Sequence, residues 1–284
     1  MTAPVVDAHH HLWDPALADY PWMTDDLAAI RRRFDASDLL PLLDAAGVDA
    51  TVLVQTRSST AESREFLATA GVTPRIAGVV AWTDLTSPAV ADDLAALREA
   101  AGGERLVGIR HQVHDEPDPD WLLRPDVRNG LEAVEGAGLV YDLLVRSREL
   151  PAAFETARAM PGLRFVVDHL AKPSVRERAM SPWSERLGLF SPLSNVACKL
   201  SGLVTEADWE AWSTADLAPY VDRALEVFGP DRLLFGSDWP VSLLAAPYDR
   251  VVDTARALIA GLSTAEQGAV MGGTAVGVYD LRID

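Results

Sequence analysis

The sequence predicts an α/β protein whose eight parallel strands close into a single (β/α)8 barrel, and three observations carry that prediction. Apolar runs of strand length alternate with longer amphipathic stretches from one end of the chain to the other. Eight such runs occur, at residues 5–11, 50–55, 76–82, 106–111, 140–145, 164–169, 196–201 and 232–237. Regular βα alternation calls for a parallel sheet, and eight repeats suit closure into a barrel. No glycine-rich phosphate fingerprint follows the first run, which disfavours the structural alternative, a doubly wound open sheet around a nucleotide.

The first strand reads Val5-Val6-Asp7-Ala8-His9-His10-His11-Leu12-Trp13. Alternate side chains of a strand share a face, so His9 and His11 are expected to project together, spaced to grip a metal ion or a substrate oxygen. Asp168, adjacent to His169 in the sixth strand, is expected on the opposite face from it, and Asp7 and Asp168 are both expected to suit barrel-wall hydrogen bonds better than direct chemistry. The histidine run is too short and too apolar in its flanks for a purification tag. Helical patterns cover Asp35 to Ala46, Ser87 to Ala100, Arg148 to Met160 and Leu217 to Phe228, with Ser, Asp or Pro near several starts and Gly after several ends. The eighth strand, from Arg232 to Pro240, ends in a carboxylate where Gly236 and Pro240 mark a turn. The stretch from Thr264 to Tyr279 reads as a final helix closing over the barrel, weakened by its glycines.

With 284 residues, 49% of them hydrophobic, the chain can build one sizeable core, and no low-complexity linker divides it, so residues 1–284 are expected to form a single domain. No run reaches the roughly 18 to 20 apolar residues of a membrane span, and the start Met1-Thr2-Ala3-Pro4 lacks a signal-peptide pattern; a cytoplasmic protein without membrane partners is expected. A lone Cys198 in an apolar run fits a reducing compartment and reads as a small buried hydrophobe. The net charge of −17 excludes a broad nucleic-acid surface and means that any anionic substrate must be held by a few specific Arg or His residues. The partner is expected to be a small molecule, and no oligomeric state is read from the sequence. Only Lys172 and Lys199 are lysines, both at strand ends, in a chain that otherwise uses Arg.

Function in a barrel gathers at the C-terminal ends of the strands. Those ends carry His9 and His11, then Gln55 and Arg57, Trp82 and Asp84, Arg110 with His111 and His114, Tyr141 and Asp142, Asp168 and His169, Lys199 and Ser201, and finally Asp238 and Trp239. Imidazoles scattered at random would not collect at one end in this way.

These residues carry a family resemblance. The Asp-x-His-x-His start, Gly108-Ile109-Arg110-His111, Val167-Asp168-His169-Leu170-Ala171-Lys172-Pro173, Lys199-Leu200-Ser201-Gly202 and Phe235-Gly236-Ser237-Asp238-Trp239-Pro240 together resemble the amidohydrolase superfamily. More narrowly, they are similar to its amidohydrolase-related branch of sugar lactonases and pyrone-dicarboxylate lactonases. The resemblance implies a TIM-like barrel of the amidohydrolase type that hydrolyses a small ester, lactone or amide with water activated beside Asp238. It implies an inner shell of His9, His11, His169 and Asp238, the candidate metal ligands. The fifth strand supplies no histidine and the fourth no lysine, which leaves one divalent ion, Zn²⁺ or Mn²⁺, or a metal-independent site.

Hydrolysis needs a deprotonated water and a stabilised oxyanion within a few ångströms of each other. Asp238 is the candidate base, with His169 and Arg110 as the other catalytic residues; without an ion, the imidazoles and Arg110 must polarise the carbonyl. His111, Tyr141 and Lys199 are candidates to bond substrate hydroxyls or a carboxylate, and Trp13 and Trp239 to stack on a sugar ring. The expected reaction is opening of an aldonolactone, such as a fucono-, rhamnono- or galactono-lactone, as in carbohydrate catabolism. A metal-dependent decarboxylase of a small unsaturated or aromatic acid is the alternative enzyme, and a ligand-binding barrel without turnover the nonenzymatic one.

Overall fold

The strands β1 (Val6–His10), β2 (Ala50–Val54), β3 (Ile76–Ala81), β4 (Leu106–His111), β5 (Val140–Leu143), β6 (Phe165–Val167), β7 (Val196–Leu200) and β8 (Leu233–Phe235) pair in sequence order, each parallel to the next, in a computed structural model that describes residues 3–283. All eight lie where the apolar runs place them. The ring closes between β8 and β1 just beyond the strand ends: Asp238 donates its backbone N–H to His9 O at 2.8 Å, and His11 donates to Trp239 O at 2.7 Å.

Around this wall run α1 (Ala36–Ala46), α2 (Thr60–Gly71), α3 (Val90–Arg98), α4 (Pro125–Gly136), α5 (Leu150–Ala159), α6 (Trp183–Gly188), α7 (Thr214–Phe228) and α8 (Tyr248–Leu258). Local chemistry sets their ends. Asp35 caps α1 in a reciprocal box with Asp38, and Gly47 ends that helix in the left-handed conformation; Ser213 and Asp216 form the same box at α7. Every strand residue except Val107 and His111 is buried, because the helices cover one face and the barrel lumen the other.

The core has two compartments. Outside the wall, Leu43, Leu53, Ile109, Tyr141, Phe165, Leu217 and Phe235 pack among the helices. Inside it, Val6, Ala8, Val52, Val54, Val80, Val140, Val166, Ala197 and Leu234 fill the lumen with small apolar side chains. The C-terminal stretch differs from the single helix expected. It forms α9 (Thr264–Gly268), a π-helical segment (Ala269–Gly273) and α10 (Thr274–Tyr279), and it joins the lumen core through Ala275, Tyr279 and Leu281. It plugs the end of the barrel where β1 begins, so it closes the floor and not the mouth. Glycines at 268, 272 and 273 interrupt the α-helical pattern there.

No helix is long and apolar enough to cross a membrane among the described residues.

Candidate active site

The first strand delivers its histidines by an irregularity. Val6 and Ala8 point into the lumen core while Asp7 faces outward, and the ladder with β2 then slips register between Asp7 and His10. After this bulge His9 also turns inward, and His11 follows it, so that the two Nε2 atoms stand 3.2 Å apart. His10, between them, is buried with neither ring nitrogen bonded, and burial pushes it down to about 3, which keeps the ring neutral.

Two further site residues sit on backbone that L-residues avoid. His169 has φ 53° and Asp238 φ 56°, and the left-handed run continues through Leu170, Ala171 and Lys172. Each such residue costs about 1–2 kcal/mol, which the surroundings must offset. Lys172 N donates to His169 O, and Trp183 Nε1 donates to Leu170 O at 2.6 Å, bracing the turn. Two glycines admit these side chains. A Cβ on Gly202 would lie 2.6 Å from His169 Nδ1, and one on Gly236 would lie 2.7 Å from His9 Cβ. The Ser-Gly and Phe-Gly-Ser-Asp sequences therefore mark close approach at the site.

Four donor atoms converge. Asp238 Oδ1 lies 3.4 Å from His11 Nε2 and 3.9 Å from both His9 Nε2 and His169 Nε2. His11 Nδ1 is 2.7 Å from Val54 O, a group that only accepts, so Nδ1 carries the proton and Nε2 turns a lone pair to the centre. His169 Nδ1 is held by Ser201 Oγ at 2.8 Å. Tetrahedral ligands about 2.0–2.1 Å from a zinc ion stand about 3.3–3.4 Å from one another, close to the spacings found. Lone pairs and a carboxylate facing one another also call for a cation. His9, His11 and Asp238 fit one divalent ion, with His169 beside them. Asp168, the other carboxylate nearby, is already paired with Arg110 and Lys199.

Burial lowers His9 well below the ordinary histidine value and brings His169 to about 3, so both rings are neutral and able to ligate near pH 7. Burial would raise Asp238, but the neighbouring His169 and His11 rings outweigh it and hold the carboxyl below its usual range.

A charged layer lies beneath. Arg110 Nη1 donates to Asp168 Oδ2 at 2.9 Å and sits 3.1 Å from His9 Nε2, while Nη2 donates to Gln55 O. Asp168 thus lies inside the barrel, contrary to the alternation-based expectation: β6 ends at Val167 and the chain turns, so Asp168 and His169 both enter the site. Lys199 corrects a second expectation. Wholly buried and away from the cavity, it donates to Asp142 Oδ2 and lies 3.1 Å from His9 Nδ1, supporting the site from below.

Above the donors opens a cavity of about 330 Å³, lined by His11, Arg110, His169 and Asp238 together with Trp22, Thr56, Gln112, His114, Asp115, Leu144, Arg146, Lys172 and Val241. Four other residues expected to bind substrate stand outside this lining. His111 points outward, accepts from Trp82 Nε1, reaches Glu116 Oε1 at 2.7 Å and stacks on Trp121. Tyr141 is buried against Phe165 in the outer core. Trp13 donates to Ile30 O and packs on Phe34, and Trp239 is buried against the same Phe34. Strand parity explains His111 and Tyr141, since their neighbours Arg110 and Asp142 take the inward positions. Thr56, Gln112, Asp115, Arg146 and Lys172 are polar lining residues that sequence reasoning did not assign to substrate. Each lies just beyond a strand end, and Lys172 was already marked by the scarcity of lysine.

Comparison with known proteins agrees with this geometry. The amidohydrolase family model matches residues 6–281. The chain is 38% identical to an L-fucono-1,5-lactonase of Burkholderia multivorans over 99% of this chain and 97% of that protein. It is 39% identical to an L-fucono-1,5-lactonase of Burkholderia ambifaria over 86% of this chain and 82% of that one. The crystal structure of a Burkholderia multivorans amidohydrolase with bound zinc superposes with a TM-score of 0.94 at 38% identity, covering 99% of this chain and all of the other. The chain belongs to the amidohydrolase family and is a hydrolase of a single barrel.

Proposed function

We propose that this hydrolase opens a sugar-derived lactone of the aldonolactone class, with the two fuconolactonase relatives favouring a fucono-lactone or a close analogue. The observation that carries the reading is the Asp238 carboxylate, ionised and set among three imidazoles at the base of a polar cavity. Asp238 Oδ1 takes a proton from water as the water oxygen bonds to the lactone carbonyl carbon. Arg110, buried at the cavity base, stabilises the negative charge that develops on the carbonyl oxygen. As the ring C–O bond breaks, Asp238 returns the proton to the departing alkoxide, which stays tethered in the open-chain product. A divalent ion on His9, His11, His169 and Asp238 would add Lewis acidity toward the carbonyl and the water. Gln112, His114, Arg146 and Lys172 offer donors to ring hydroxyls, and the two cations suit the carboxylate of the product.

The test is acid release from a panel of aldonolactones, followed with a pH indicator before and after chelation. Turnover is expected in the purified protein. Turnover that survives chelation assigns carbonyl polarisation to Arg110 and the imidazoles, and turnover lost and restored by Zn²⁺ assigns it to the ion. No acid release from any lactone overturns the reading and directs the assay to CO₂ release from unsaturated carboxylic acids.

A further inference from the structure

We infer that Tyr279, on the C-terminal helix α10, is a positioning residue for the active site, acting on His9 through Asp142 and Lys199. The Tyr279 hydroxyl lies 2.9 Å from both oxygens of Asp142, a carboxylate with no exposure in the middle of the lumen. Asp142 Oδ2 accepts from Lys199 Nζ, whose ammonium also lies 3.0 Å from Asp168 Oδ1 and 3.1 Å from His9 Nδ1. The Tyr279 ring underlies that ammonium at 5.5 Å. A continuous chain of buried side chains thus joins the plug in the floor of the barrel to the ring that faces the reacting centre.

The hydroxyl is required for the balance of this chain. Two carboxylates share one ammonium that also lies against His9, and the hydroxyl is the only donor to Asp142 besides Lys199 among the described residues. Without it both Asp142 oxygens must turn to Lys199, drawing the ammonium down from Asp168 and His9. Burial, with the Asp168 charge beside it, pushes Asp142 up to about 6 even though Lys199 and Tyr279 both favour the ionised form. A phenylalanine would fill the same space, and the buried Tyr141 hydroxyl stands without a partner among the described residues, so burial alone does not call for the Tyr279–Asp142 bonds; the polar atom serves the site above it.

Tyr279→Phe tests this in the full-length protein. In metal-free protein labelled with ¹⁵N-histidine, the substitution is expected to move the His9 ring nitrogen resonances, assigned with His9→Gln, and to leave those of His111 in place. On a lactone substrate kcat is expected to fall about 10-fold with KM unchanged, since the residue acts through others and touches no substrate. In the Asp142→Asn background the same substitution should add nothing. Leu281→Ala loosens the same plug without touching the chain and should lower Tm while leaving His9 where it is. Unmoved His9 signals, or additive effects in the double variant, overturn the inference. If Tyr279→Phe does not fold, Asp142→Asn must itself move the His9 signals for the inference to stand. This inference shares the active-site reading, but its spectroscopic arm uses no substrate, so absence of lactone turnover would sink the proposed reaction and leave this test intact.

Discussion

At the strand ends of this barrel, neighbouring residues face opposite sides of one wall, and the two sides satisfy their polar groups in different ways. Asp7 and Asp168 are both wholly buried carboxylates. Asp7, on the outer side, has no cation partner among the described residues; it accepts from the Ser237 backbone and hydroxyl at 2.8 and 2.6 Å and from the Tyr248 hydroxyl at 3.0 Å, tying β1 to the β8 turn and to α8. Asp168, on the inner side, is paired with Arg110 and Lys199. Burial raises the Asp7 pKa, whereas those cations and His9 overcome burial and hold Asp168 well below the ordinary carboxylate value. Fixed neutral donors suit a structural clamp; a cluster of charges within reach of a cavity suits a site where charge must develop and be relieved.

That contrast predicts which substitutions strike chemistry and which strike the frame. Asp238→Asn, on the inner side, should lower kcat about 10³-fold while the urea unfolding midpoint stays near that of the parent; near-normal turnover would remove Asp238 from the mechanism. Asp7→Asn should do the reverse, costing about 2–3 kcal/mol in urea unfolding because an amide N–H₂ would face three donors, with kcat of the folded fraction preserved. His111→Phe leaves Trp82 Nε1 and the Glu116 carboxylate without their partner, a loss of about 1–2 kcal/mol with KM unchanged; a large rise in KM would return His111 to the substrate site. Tyr141→Phe should be nearly silent in both assays, since the buried hydroxyl has no hydrogen-bond partner among the described residues, and a drop in activity would show that the outer layer reaches the cavity.

The family comparison places the same division in context. A (β/α)8 barrel holds its frame in the wall and the lower lumen and varies its mouth, and here the lower lumen is filled by valines, alanines and a leucine while charged and imidazole groups occupy the upper end. The C-terminal plug belongs to both regions: its apolar residues complete the lower core, and Tyr279 enters the charged layer.

Much of this was legible in the residues themselves. The eight apolar runs located all eight strands, because both faces of a parallel strand are buried and the pattern is strong. The motif ends located His9, His11, His169, Asp238 and Arg110, which the structure brings together. Parity beyond those motifs was not legible. The bulge in β1 lets Ala8 and His9 both face inward, and the left-handed turn after β6 brings Asp168 inside with His169; neither backbone departure leaves a periodic trace in the sequence. Counting strand ends therefore assigned His111, Tyr141, Trp13, Trp239 and Lys199 to substrate when each is held by the protein. Local sequence determined the elements and the chemical groups at their ends, since periodicity and side-chain chemistry are properties of the residues. Which groups meet, which face water and which bond each other was decided by closure of the barrel, because contacts such as Lys199 with His9, 190 residues apart, exist only in three dimensions.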